Sequence, residues 1–157
     1  ALEETGDKRL GEEALLAGLL HDVGKLILQV NLPEAYGEAR RRAAAGEGLL
    51  EVEGELFGTT HAEVGAYLLG LWGLPDAIVE AVAFHHRPGE CPSDRVTPLA
   101  LVHAANCLEA ATPAESPARC AGEVDTAYLE AAGLGERLEA WTAIAAEVSA
   151  GAEEARA

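Results

Sequence analysis

The chain has 157 residues, enough for one domain with a sizeable core. Hydrophobic residues at 49% and charged residues at 24% exclude global disorder, while 4% aromatics and abundant alanine favour slim helices over sheets. Eleven Lys and Arg against 27 Asp and Glu give a net charge of −16, which repels phosphate backbones and excludes non-specific nucleic-acid binding.

Residues 1–10 are polar and predict a frayed lead-in. From Gly11, the residues Leu15, Leu16, Leu19, Leu20 and Val23 recur at helical spacing and predict an amphipathic helix whose leucine stripe faces the core. Gly24 ends or bends it, and Lys25 to Val30 continues it briefly. Pro33 belongs in a first helical turn, so a helix is expected from there to Ala45, stopped by Gly46. Its Arg40-Arg41-Arg42 run reads as a solvated face. Leu49 to Phe57 predicts a short helix closed by Gly58. Thr60 with Glu63 forms a capping box that puts His61 in the first turn of a helix running to Trp72, with Gly73 as its stop.

Pro75 opens the next helix, with Ile78, Val79 and Val82 as its apolar stripe and His85 and His86 at its end. Arg87 to Asp94 reads as a loop. Thr97-Pro98 starts a helix to about Ala111, and Pro113 and Pro117 mark a surface loop over 112–124. Two helical stretches close the chain, Asp125 to Ala132 and Glu136 to Val148, the second carrying Leu138, Trp141, Ile144 and Val148; residues 151–157 should fray. The organisation read from this is a helical core over 11–111, a loop, and C-terminal helices over 125–150 packed on the core. No strand pattern appears. The fold class is all-α.

Cys91, Cys107 and Cys120 have no CxxC spacing and an odd count, which fits a reducing cytoplasm better than a disulfide framework. His103 and Cys107 stand four apart, yet with no second pair nearby they read as ordinary helix residues. The most apolar run, Leu15 to Leu28, is broken by His21, Asp22 and Lys25, so no membrane span is expected. The chain starts at Ala1 and contains no Met, which suggests a piece of a longer protein.

Four places carry chemistry. His21 with Asp22 follows four leucines and puts an imidazole and a carboxylate at the edge of a core. His61, His85 and His86 each lie near a helix end and are suited to complete a coordination sphere. Such a mixed nitrogen and oxygen set suits Mn, Fe, Zn or Mg, and Lys25, one turn beyond Asp22, is suited to neutralise a phosphate. The competing reading is a hydrogen-bonded core, with Asp22 paired to Lys25.

Gly18-Leu19-Leu20-His21-Asp22-Val23-Gly24-Lys25 resembles the hallmark of the HD superfamily of metal-dependent phosphohydrolases. The longer series resembles its HDOD branch: Leu56 to Ala66 with Thr60-His61, then Leu71-Trp72-Gly73-Leu74-Pro75, then His85-His86-Arg87-Pro88. The likeness spans Gly11 to Leu108 and implies an HD-like helical bundle without the N-terminal helical lobe of a full HDOD unit. It implies His21 and Asp22 as metal ligands, His61 and one of His85 and His86 as further ligands, Lys25 as a phosphate contact, and Glu53 in a structural or hydrogen-bonding part. It also exposes departures. No histidine precedes His21, Asn106 stands where a closing aspartate is expected, and Arg87-Pro88 follows the paired histidines in place of the Glu and GYP segment of cyclic-di-GMP phosphodiesterases. The ligand set is therefore incomplete, which argues against catalysis.

The resemblance thus implies a bacterial signal-transduction module of the regulatory, catalytically degenerate kind, acting through protein contacts with signalling proteins or with fused receiver or GGDEF-type domains. A small phosphorylated ligand and a divalent metal remain compatible with it. The alternatives are a metal-dependent phosphohydrolase acting on a nucleotide or cyclic dinucleotide, and a homodimerisation bundle with Trp72 and Trp141 among its contacts.

Overall fold

In the computed structural model, residues 7–91, 96–110 and 123–154 are described, and among them every regular element is helical. Helix α1 spans Lys8–Leu20 and begins earlier than its apolar periodicity indicates. The reason is a cap: the Asp7 carboxylate accepts from the main-chain N–H groups of Arg9 and Leu10, satisfying two of the helix's unpaired donors. Residues 8–10 are thus helical with Asp7 as their cap, while residues 1–6 of the expected lead-in lie outside the described residues.

The leucine stripe expected to face the core does so only at its end, where Leu20 and Val23 pack against Ala66, Leu69 and Val82. Helix α1 buries Gly11, Ala14 and Ala17 and leaves Leu15 and Leu19 exposed at 67% and 75%. Small side chains let α1 settle closely on α6 (Asp76–Phe84) and α7 (Pro98–Ala110), and Leu15, Leu16 and Leu19 are turned outward.

After a bend at His21-Asp22, α2 (Val23–Asn31) runs to Leu32, and Pro33 starts α3 (Pro33–Ala44). Gly46, at φ +101°, takes the left-handed backbone that turns the chain into α4 (Leu49–Phe57). Helices α3 and α4 form a hairpin with its own apolar cluster, in which Tyr36, Ala39, Ala43, Leu49 and Val52 surround Leu28 of α2. Arg42 clamps the hairpin by pairing with Glu47 and, at 2.8 Å, with Glu55.

Helix α5 (His61–Leu71) starts with the complete Thr60–Glu63 capping box and ends before Gly73, whose φ is +74°. Helices α2 and α5 meet backbone to backbone: a Cβ on Gly24 would lie 1.8 Å from the His61 carbonyl oxygen. No side chain fits there. Helix α6 then packs Ile78 and Val82 inward, and a 3-10 turn at Pro88–Glu90 leads away from it.

Helix α8 (Thr126–Ala131) is capped by Asp125, and a 3-10 turn at Gly135–Arg137 opens α9 (Leu138–Glu154). Leu129 and Leu134 pack with Ala100 and Ala104 of α7, and Trp141 lies against this cluster. The stripe of α9 is only half used, because Ile144 and Val148 are 53% and 67% exposed. They line an apolar groove of about 530 Å³ between α1, α7 and α9. The loop with Pro113, Pro117 and Cys120, and Asp94 of the earlier loop, lie outside the described residues. No described helix is long and apolar enough to cross a membrane.

Candidate metal centre

Three local features bring distant residues together. The bend between α1 and α2 turns the Asp22 carboxylate toward α5. The capping box fixes His61 as the first residue of α5, and the contact of Gly24 with its carbonyl presses that residue against the bend. His85 and His86 come from the end of α6, which packs on both α1 and α5.

Asp22, His61, His85 and His86 each offer a donor atom, and these four atoms lie within 4.8 Å of one another. Asp22 Oδ1 is 3.3 Å from His61 Nε2 and 3.8 Å from His85 Nε2. His61 Nε2 and His86 Nε2 are 3.0 Å apart, close to the roughly 3.3 Å separating two imidazole nitrogens that share a tetrahedral ion. His21 stands at the side of this group, its Nε2 3.4 Å from Asp22 Oδ2 and its ring edge-on to His85 at 5.0 Å.

The backbone decides which nitrogens remain free. His21 Nδ1 donates to the Gly18 carbonyl at 2.7 Å and His85 Nδ1 to the Val82 carbonyl at 2.8 Å. His61 Nδ1 donates to the Glu53 carboxylate at 2.8 Å. In the neutral rings each bond leaves Nε2 as the lone-pair side, the arrangement by which outer partners orient metal-binding histidines. Asp22 Oδ1 and His85 Nε2 are buried with no hydrogen-bond partner of good geometry in the protein, so two strong polar atoms face the centre. The donor set could hold a divalent metal ion.

Electrostatics are uneven across the group. Burial by itself would raise the Asp22 carboxyl, but the close His61 ring and the charges of Lys25 and His21 outweigh it and hold it well below the usual carboxylate range. His61 moves upward: burial opposes its charged form, and the carboxylates of Asp22 and Glu53 overcome that. His85 and His86 go the other way. Burial, followed by the neighbouring rings, lowers His86 to about 2, and burial chiefly lowers His85 to about 3.

The remaining candidates divide. Lys25 Nζ binds Asp22 Oδ2 at 2.7 Å, so the lysine borders the cluster. Glu53 is fully buried and accepts both from the His61 ring and, at 2.8 Å, from its main-chain N–H. The Asn106 amide nitrogen is buried without a partner. His103 spends both nitrogens on backbone, donating to the His85 carbonyl at 2.8 Å and accepting from the Asp125 N–H at 2.9 Å. Sequence reasoning missed what Gly24 and Gly65 do for the site, where the two backbones meet so closely that a Cβ on Gly65 would lie 3.2 Å from the Gly24 nitrogen. The signal was present in the spacing: Gly24 follows Asp22 by two, and Gly65 follows His61 by one helical turn.

A family model for the HDOD domain matches residues 2–88. An uncharacterized protein of Treponema pallidum (strain Nichols) is 28% identical over 116 residues, covering 71% of this chain. The chain spans only 23% of that relative's length. No solved structure matches.

Proposed function

The chain belongs to the HDOD family, and from that premise we propose that it is a regulatory signal-transduction module whose His/Asp cluster binds a single divalent cation as a structural or sensing element. What supports this reading is the closed donor set. Four donors lie within 4.8 Å of one another, and an ion that takes four ligands keeps no open position there for the water that hydrolysis needs. Three imidazole nitrogens and one carboxylate favour a four-coordinate, zinc-like ion over magnesium, which prefers oxygen ligands. Asn106, at the position where the resemblance leads one to expect a carboxylate, is a neutral and weak donor. The module works in the cytoplasm and passes its state to signalling partners by contact.

One observation favours a second reading. The Lys25 ammonium lies beside Asp22, where a phosphate oxygen could meet it, which suits a metal-dependent phosphohydrolase. The two separate in one experiment. The purified chain is titrated with Zn²⁺ and Mn²⁺, then incubated with bis(p-nitrophenyl) phosphate beside a His21→Ala, Asp22→Ala double variant. About one equivalent bound, with no turnover above that control, is the expected result. Hydrolysis lost in the double variant would make the protein an enzyme, and no tight binding would remove the cation from the reading.

A further inference from the structure

The α3–α4 hairpin is a small unit, with an apolar cluster built around Leu28 of α2 and the Arg42 clamp. It meets the bundle on its apolar side through Leu28 of α2 and Val64 of α5, and through Glu53. Glu53 is an unusual residue to find with no exposure at all, since a buried carboxylate depends on donors that replace water. It obtains both kinds from one residue: the His61 main-chain N–H at 2.8 Å, and His61 Nδ1–H at 2.8 Å from Oε2 and 3.0 Å from Oε1. The N–H is among the donors that a helix start leaves unpaired, so the hairpin also supplies an acceptor for the first turn of α5.

We propose that Glu53 is a positioning residue that couples the packing of the α3–α4 hairpin to cation binding at His61. This rests on the cation-binding reading above. With Nδ1 committed to Glu53, the neutral ring can present only Nε2 to the cluster. A cation on Nε2 draws electron density from the ring and makes Nδ1–H a stronger donor, which tightens the grip on Glu53 and hence on the hairpin. Linkage makes the effect reciprocal: whatever loosens the hairpin weakens the cation, and whatever holds the hairpin strengthens it. The hairpin is thereby the element on which occupancy of a buried site would be legible at the surface.

Hydrogen exchange of the full chain, with and without Zn²⁺, tests this. Zn²⁺ should slow exchange over residues 33–57 by about tenfold while α8 serves as the unresponsive reference. Glu53→Gln keeps the size and one acceptor of the side chain; it should weaken Zn²⁺ binding by about 10–100-fold and abolish the hairpin response. Leu28→Val loosens the hairpin without touching any donor, and it should weaken Zn²⁺ binding several-fold, which a purely local role for Glu53 would not produce. Zn²⁺ bound through Asp22 with no change over 33–57 would overturn the coupling and leave the function standing. Failure to bind Zn²⁺ at all would overturn both.

Discussion

Two stations of buried histidine lie on opposite sides of the His85 peptide, and they are chemically unlike. His103 is fully enclosed and fully spent: one ring nitrogen holds the carbonyl that ends α6, the other receives the N–H that precedes α8. It is a three-way pin between α6, α7 and α8. His61, His85 and His86 are also buried or half-buried, but each turns Nε2 toward the others and toward Asp22, and two atoms of the group have no hydrogen bond. Burial therefore does not mark a candidate ligand. A ring nitrogen left without a backbone partner does. The first station lowers the free energy of the fold; the second holds polar atoms in an arrangement that protein partners do not satisfy, as sites kept for a ligand commonly do.

The harshest way to break the contrast is Gly24→Ala. Its Cβ would meet the His61 carbonyl oxygen at 1.8 Å, a backbone atom that cannot rotate away, so α2 and α5 must separate. We expect a loss of about 3 kcal/mol in chemical unfolding, together with loss of tight Zn²⁺ binding, because the move parts Asp22 from His61. Retention of both stability and Zn²⁺ affinity would show that the helix contact does not build the site.

A crossed pair of variants sharpens it. His103→Ala leaves the Asp125 N–H and the His85 carbonyl without their partner and should cost about 2–3 kcal/mol while changing Zn²⁺ affinity little. His85→Ala should do the reverse, lowering Zn²⁺ affinity by about 100-fold with a smaller loss of stability in the metal-free protein. The measurements are urea unfolding with chelator and a competitive Zn²⁺ titration. Equal effects of the two variants on both would erase the distinction.

Acid provides a third comparison. Folded His85 and His86 sit at about 3 and about 2, whereas in the unfolded chain each returns to its ordinary 6.5. The unfolded state therefore binds more protons below pH 6.5, and stability present at neutral pH is lost as pH falls toward 3. His61 has the opposite sign: its proton stabilises the fold below 6.5, and that gain is lost as pH rises through its raised value. Two depressed rings outweigh one raised ring on the acid side. In chelator, unfolding free energy should drop by about 2 kcal/mol between pH 7 and pH 5, a figure kept below the full 1.4 kcal/mol per pH unit and ring because His86 is partly exposed. The His85→Ala, His86→Ala double variant should flatten that slope.

These contrasts also locate what was legible in the sequence. Helix ends were, because Gly46, Gly58, Gly73 and the Thr60–Glu63 box act through local geometry that depends on few other residues. The inward faces of α1 and α9 were not. Periodicity says that leucines recur, but which stripe is buried depends on the closeness of the neighbouring helix, and α1 approaches through Gly11, Ala14 and Ala17 instead. For the site, the ordered motifs drew His21, Asp22, His61, His85 and His86 to one place, and their spacing alone had no bearing on tautomers. Which nitrogen is free follows from the carbonyls of Gly18 and Val82 and from Glu53, and those bonds exist only once the bundle has closed.

The smallest expected effect is at Thr60. Its hydroxyl accepts from the Glu63 N–H at 3.3 Å while the Glu63 carboxylate accepts from the Thr60 N–H at 2.8 Å, so Thr60→Ala removes half of the box and should cost about 1 kcal/mol. The consequence for the two stations differs. His61 is the residue next to the cap, and its N–H is already held by Glu53, so a frayed α5 start shifts that one ring. His103 belongs to α7 and has no part in the box. Zn²⁺ affinity should therefore fall by a few fold in Thr60→Ala, while His103→Ala, the more destabilising of the two, leaves it unchanged. If affinity instead followed stability across Thr60→Ala, His103→Ala and Gly24→Ala, the site would be sensing only how well the bundle is folded, and the helix start would have no positioning role of its own.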